Sequence, residues 1–131
     1  MLPRCCRDLP PLTSTNQRRL DHGRCTEVLR RKPSGEGAYW WVQVRNQGLS
    51  LRQVIAAVAR SVQIDPATVS AAGARDRQAD VSQWLSLPTE LVEHPQALRN
   101  AGYQRKLRVV DTRRHHRPMD WSQVVALDWQ L

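Results

Sequence analysis

Residues 38–49 read Ala38-Tyr39-Trp40-Trp41-Val42-Gln43-Val44-Arg45-Asn46-Gln47-Gly48-Leu49, and Ser50-Leu51-Arg52-Gln53-Val54-Ile55-Ala56-Ala57-Val58-Ala59-Arg60-Ser61-Val62 follows at once. In the first run, Ala38–Arg45, dense in aromatic and β-branched side chains behind the Pro33-Ser34-Gly35-Glu36-Gly37 turn, predicts a buried strand. In the second, Leu51, Val54, Ile55, Val58 and Val62 recur at helical spacing behind Ser50, a good N-cap. Arg52, Gln53 and Arg60 fall on the other face, so the helix packs one side against a sheet. A strand and a helix joined by a short loop indicate a layered α+β or α/β arrangement.

Outward from this unit the elements are shorter. Asp65-Pro66 forms an N-cap and first-turn pair, and Val69–Ala72 reads as a brief strand ending at Gly73. Val81–Leu87 reads as a strand anchored by Trp84. A polar connection with a short helix follows Pro88 and is interrupted by Pro95. Tyr103–Val110 reads as a third long strand, and from Asp111 no period is visible. Residues 1–26, broken by Pro3, Pro10 and Pro11, read as an irregular basic arm. The expected organisation is thus an arm over 1–26, a structured domain over 27–110 and a tail over 111–131.

With 131 residues the chain has room for one modest domain. No apolar run reaches the length of a bilayer span, so a soluble, cytoplasmic protein with no membrane partner is expected. Cys5, Cys6 and Cys25 form no disulfide framework. His22 and Cys25 have a spacing that a metal site could use, but adjacent Cys5 and Cys6 are poor tetrahedral partners and no second paired motif follows. Adjacent His115 and His116 in a basic tail read as surface, so no metal is assigned. The net charge of +8 is concentrated in residues 1–32 and 103–117, with six basic and six acidic residues balanced over 33–102. Nearly all the excess is arginine, whose planar fork suits phosphate oxygens, so nucleic acid is a first candidate partner, with an arginine-rich solvated surface as the alternative reading of the charge.

One acid stands out. In Ala71-Ala72-Gly73-Ala74-Arg75-Asp76-Arg77-Gln78-Ala79 a carboxylate is set between two arginines, after a glycine and before a small residue. Arg75 and Arg77 favour its ionised form, and the same cations can hold a phosphate beside it. An ionised carboxylate next to a captured phosphodiester suits chemistry at a sugar carbon. An ordinary surface acid tied to its neighbours has the same spacing.

This segment, continued through Gln83-Trp84, resembles the AGxKDxxAxTxQW signature of the tRNA pseudouridine synthase D (TruD) family. Pro33–Gly37 with its strand, the helix over 50–62 and Arg105-Lys106-Leu107-Arg108 resemble three further family elements, in order, across residues 27–109. The resemblance implies an α+β fold with a partial mixed or antiparallel sheet, a partial catalytic domain over residues 27–110, and an isomerase that converts uridine 13 of tRNA to pseudouridine without metal or organic cofactor. It implies Asp76 as the catalytic residue, and the basic positions Arg75, Arg77, Arg105, Lys106 and Arg108 as RNA-binding. The target nucleotide must leave its stack to be reached.

The sequence also departs from the pattern. Arg75 replaces a lysine and Val81 a threonine; the family's PEDF motif falls where Leu20-Asp21-His22-Gly23 stand, with only the trailing acid, Glu27, retained. Its NxF motif falls at His115-His116-Arg117, and the chain contains no phenylalanine. These departures point to a truncated form, with a non-catalytic RNA-binding fragment or the inactive product of a damaged gene as the alternative. An incomplete sheet is expected to leave Trp40, Trp41 and Trp84 uncovered and to favour self-association or a complementing chain.

Overall fold

The computed structural model describes residues 23–75 and 80–130. One sheet gathers β1 (Arg24–Leu29), β2 (Tyr39–Gln47), β3 (Ser70–Ala71), β4 (Asp80–Pro88), β5 (Leu107–His115) and β6 (Val124–Gln130), with α1 (Leu51–Ser61) packed on it. The strands lie in the order β5-β2-β4-β1-β6, and β3 pairs with β4. β1 and β4 are parallel and every other pairing is antiparallel, so the fold is α+β with a mixed sheet.

The strand–helix unit forms as its sequence demands. Ser50 and Gln53 make a reciprocal capping box: the Gln53 N–H donates to Ser50 Oγ at 3.2 Å, and the Ser50 N–H to Gln53 Oε1 at 2.9 Å. The turn before α1 is tied to the sheet by buried Asn46. Its side chain accepts from the Leu49 N–H at 2.9 Å and donates to the Leu49 carbonyl at 3.0 Å and to Gln83 Oε1 at 3.2 Å. Val54, Ala57 and Val58 of α1 then pack on Val42, Val44, Leu85 and Leu87. Full burial of one such Val or Leu side chain contributes about 1.5–3 kcal/mol.

Side chains alternate across the strands, so the opposite face carries Trp41, Trp84 and Met119. Here the structure corrects an expectation. Trp41 and Trp84 are buried, at 0% and 7% exposure, because the segment after β5 folds back over them. The Met119 N–H donates to Ser86 Oγ at 2.7 Å, and Trp41 Nε1 donates to the Arg117 carbonyl at 2.7 Å. Trp40, on the helix face, is half-buried beneath the Arg114 guanidinium, 5.7 Å from the ring centroid.

Three stretches differ from their sequence reading. The last residues of the expected arm form the start of β1, and the expected tail supplies the end of β5 and all of β6, which pairs with β1 from Arg24↔Gln130 to Leu29↔Val124. The sheet therefore crosses the boundaries drawn at 26/27 and 110/111. Cys25 and Val81 are buried against Leu127 and Trp129, a short-range apolar contact too small to give either segment a visible period. Lastly, the predicted strand over 103–110 begins only at Leu107. Residues 103–106 make a tight turn, closed by the Lys106 N–H on the Tyr103 carbonyl at 2.8 Å, with φ of 50° at Gln104 and 63° at Arg105.

Two successive positive φ values are the geometry of a type I′ turn, which normally uses Asn-Gly. A side chain in this region costs about 1–2 kcal/mol per residue. Replacing Gln104→Asn together with Arg105→Gly is expected to raise stability by about 1 kcal/mol, after the entropy cost of glycine, in urea unfolding. A double variant no more stable than the parent would show that the turn is not strained.

Candidate active site

The site is built where three strands meet. β1 follows β4 in register from Arg24↔Asp80 to Thr26↔Ser82, and β3 takes its place at Ala71↔Leu85 and Ser70↔Ser86. Between the two pairings the Trp84 N–H has no strand to bond. Glu27 supplies the acceptor: its Oε1 takes that N–H at 2.7 Å from a side chain only 1% exposed.

Arg75, which leads into the Asp76 segment, reaches the same carboxylate. Its Nη2 lies 2.9 Å from Glu27 Oε2, and its side chain is 16% exposed. The alignment is poor: Glu27 Oε2 and Arg75 Nε are both buried without a hydrogen bond, so the contact is an ion pair by distance alone. Burial pushes the Glu27 carboxyl up to about 7, against the opposing effects of the Arg75 charge and the Trp84 N–H.

Asp76 and Arg77 lie outside the described residues. The described residues on either side of that segment are Arg75 and Asp80, and each is held by a charge contact. Asp80 accepts from Arg45 Nη2 at 2.7 Å and Nε at 3.2 Å, with Arg24 Nε at 3.9 Å, and its N–H donates to the Gly23 carbonyl at 2.8 Å. Burial alone would raise the Asp80 carboxyl, but the bonds from Arg45 and Gln47 and the charges of Arg45 and Arg24 outweigh it and hold it below its ordinary range.

The expected RNA-binding residues divide. Arg75 turns inward to Glu27, whereas Arg105, Lys106 and Arg108 come together with Arg45 and Gln47 around an open cavity of about 200 Å³. Arg108 stands directly opposite Arg45 in the β5–β2 ladder, a like-charge pairing that costs energy unless an anion intervenes. Asp80 neutralises Arg45, but among the described residues Arg105, Lys106 and Arg108 have no acid partner. Such a cavity can hold phosphate oxygens beside the Asp80 end of the 76–79 segment.

Sequence reasoning marked Glu27 only as a surviving motif position and missed Arg24, Arg45 and Asp80. The available signal was positional: an acid inside the apolar run Cys25–Leu29, and opposite charges at the ends of two predicted strands. Among the described residues no group of three or more His, Cys, Asp or Glu comes together as metal ligands, and no helix is long and apolar enough to cross a membrane.

Glu27 sets a pH dependence. Its native-state pKa of about 7 exceeds the ordinary 4.5, so the folded chain binds the extra proton and stability falls as pH rises through 4.5–7. The whole effect is of order 3 kcal/mol. His115, held below its ordinary 6.5 first by burial and then by His116 and Arg117, acts in the opposite sense as pH rises toward 6.5. The difference between parent and Glu27→Gln isolates Glu27. Urea unfolding at pH 5 and pH 7.5 is expected to show the parent losing stability relative to the variant, and parallel curves would contradict this protonation.

Comparison with known proteins accords with the motif reading. The model for "tRNA pseudouridine synthase D (TruD)" matches residues 8–126, on both sides of the 27–109 span that carries the motifs. Proteins named tRNA pseudouridine synthase D from Anaeromyxobacter sp. (strain Fw109-5) and Anaeromyxobacter dehalogenans (strain 2CP-C) are each 31% identical to it over 95% of this chain, and the match covers 34% and 35% of their own lengths. The chain therefore spans about a third of the curated relatives it matches. A solved structure described as a TruD protein from Methanosarcina mazei superposes with a TM-score of 0.68 over 82% of this chain and 24% of its own, at 18% identity, and supports the fold alone. A buried anchor for Arg75, cations gathered beside the Arg45 that holds Asp80 and a family match across most of the sequence agree: this chain belongs to the tRNA pseudouridine synthase D (TruD) family.

Proposed function

We propose that the chain is the portion of a tRNA pseudouridine synthase that carries the catalytic carboxylate, Asp76, and acts on uridine 13 of a cytoplasmic tRNA. The observation that carries this reading is the anchoring of the Asp76 segment. Arg75 is fixed through Glu27 to the sheet on one side and Asp80 through Arg45 on the other, next to an unneutralised basic cavity. In this reading Arg105, Lys106 and Arg108 hold phosphates, Arg77 lies beside the reacting nucleotide, and Arg75 joins the RNA surface chiefly as the anchor of its neighbour.

Asp76 promotes cleavage of the N1–C1′ bond by attack on the sugar or the base. The freed uracil turns, C5 bonds to C1′, and the proton lost from C5 is balanced by one gained at N1. No metal or organic cofactor takes part. The chain spans about a third of its relatives' length, and among the described residues the outer strands β5 and β6 are the sheet edges open to further strands.

A tRNA transcript tritiated at C5 of uracil tests the reaction, since the isomerisation releases that label. The parent chain is expected to release tritium, and Asp76→Asn to bind the transcript equally but release none. Binding by both forms with release by neither would leave only an RNA-binding fragment. Arg108→Ala is expected to lower tRNA affinity and reduce the slope of log K against log salt by about 0.7–0.9; an unchanged slope would remove Arg108 from the phosphate contacts.

A further inference from the structure

A second basic cavity lies at the opposite end of the sheet. It encloses about 260 Å³ and is lined by Arg30, Arg31, His115, His116, Arg117 and Ser122, with Gln123 beside them. β1 and β5 both run from the Asp80 end toward it, so it lies a strand length from the site described above, roughly 26 Å at 3.3 Å per residue along β5.

The walls of this cavity are built. Arg30 Nε donates to the Ser122 carbonyl at 3.1 Å, and the Arg117 carbonyl is fixed by Trp41 Nε1 at 2.7 Å. The Ser34 N–H donates to His115 Nδ1 at 3.0 Å, which leaves the proton of the neutral ring on Nε2. Burial, reinforced by His116 and Arg117, holds His115 neutral, so the local positive charge belongs to the arginines. Glu27, Glu36 and Asp120 are the acids nearby in sequence, and none forms an ion pair with Arg30, Arg31 or Arg117; Glu27 is held by Arg75, and Asp120 accepts from the Ser122 N–H and hydroxyl.

Next to Ser122 in the chain stands Trp121, with 78% of its surface exposed, the most exposed large apolar side chain among the described residues. It begins the 3₁₀ turn Trp121–Gln123, whose Ser122 and Gln123 line the cavity. An open aromatic residue next in the chain to the lining of a cavity whose arginines have no acid partner among the described residues is the combination that single-stranded nucleic acid requires: a base stacks on the ring while its phosphate meets the cations.

We infer that Trp121 and the Arg30–Arg31–Arg117 cavity form a second RNA subsite, which stacks one unpaired base and holds its adjoining phosphates. The inference rests on the reading of the chain as RNA-binding, but not on Asp76. The subsite gives the chain a hold on an unpaired stretch of RNA remote from the reacting nucleotide.

Fluorescence anisotropy of the 131-residue chain with a labelled hexauridylate, at several salt concentrations, tests it. Trp121→Ala is expected to weaken binding tenfold or more with little change in salt slope, as loss of one stacked base implies. Arg31→Ala with Arg117→Ala is expected to weaken binding and reduce the slope by about 1.4, two phosphate contacts on a single strand. All three side chains are exposed, so thermal unfolding should be unchanged, and Asp76→Asn should bind like the parent. Full affinity in Trp121→Ala overturns the subsite, whether or not the arginine variant is impaired. So does a Trp121→Ala chain that changes only its sedimentation, which would make the patch a protein contact. Oligonucleotide binding at this subsite without pseudouridine formation would count against the catalytic reading alone.

Discussion

The fork beside Trp84 is the constraint on which the site depends. A sheet strand with different neighbours along one edge leaves a backbone donor unmatched where one neighbour departs and the next arrives. Left buried and unbonded, that N–H would cost about 1–3 kcal/mol. Glu27 resolves the gap with a side chain, while its own strand continues toward β6. A glutamine amide could accept the same bond without a buried carboxyl. What the carboxylate adds is attraction for Arg75, which fixes the chain where β3 ends and the Asp76 segment begins. The imperfect alignment and raised pKa mean that this pair adds little net stability. Its contribution is to fix Arg75 against the sheet.

Charge is arranged around this fork with little redundancy. Glu27, Asp80 and Asp111 are each paired with an arginine, so three described acids are matched while the cations of the 103–106 turn and Arg108 stay unmatched. Backbone geometry reinforces the effect. The β5–β2 ladder skips Val110, and that bulge places Arg108, Asp111 and Arg113 on the face away from α1 rather than alternating them between the two faces. A positive face beside the anchored segment is therefore a product of register as much as of composition.

Much of the fold was legible because its central elements carry their own signals. β2, α1 with its Ser50 cap and β4 are continuous or periodic apolar segments, and each was placed to within a residue or two. β1 and β6 were not legible: each buries few side chains and exists mainly because the other is beside it. The 103–106 turn was hidden by residues that rarely accept positive φ, and the cover over Trp41 and Trp84 depends on backbone bonds from residues 117–119 that no local pattern announces. For the site, the family motif drew attention to Asp76 and Gln83, and the structure explains Gln83 as the partner that ties β4 to the turn before α1. The Glu27–Arg75 contact joins residues far apart in sequence, and spacing alone gives no reason to connect them.

The edge strand β5 links the two basic ends. An exposed edge must be protected from pairing with other chains, and charged side chains are one means of doing so. β5 carries Arg108, Arg113 and Arg114 along its length, between the cavity at Arg105–Arg108 and the one beside Trp121. Arg108 and Arg113 stand on the face away from α1, whereas Arg114 stands over Trp40 on the helix face, so both sides of the strand carry a cation. Another β-strand must bring its own side chains against these arginines on either face. Protection of the edge thus arises from its charged side chains, and this explains how a strand with little apolar surface can be maintained at the margin of the sheet.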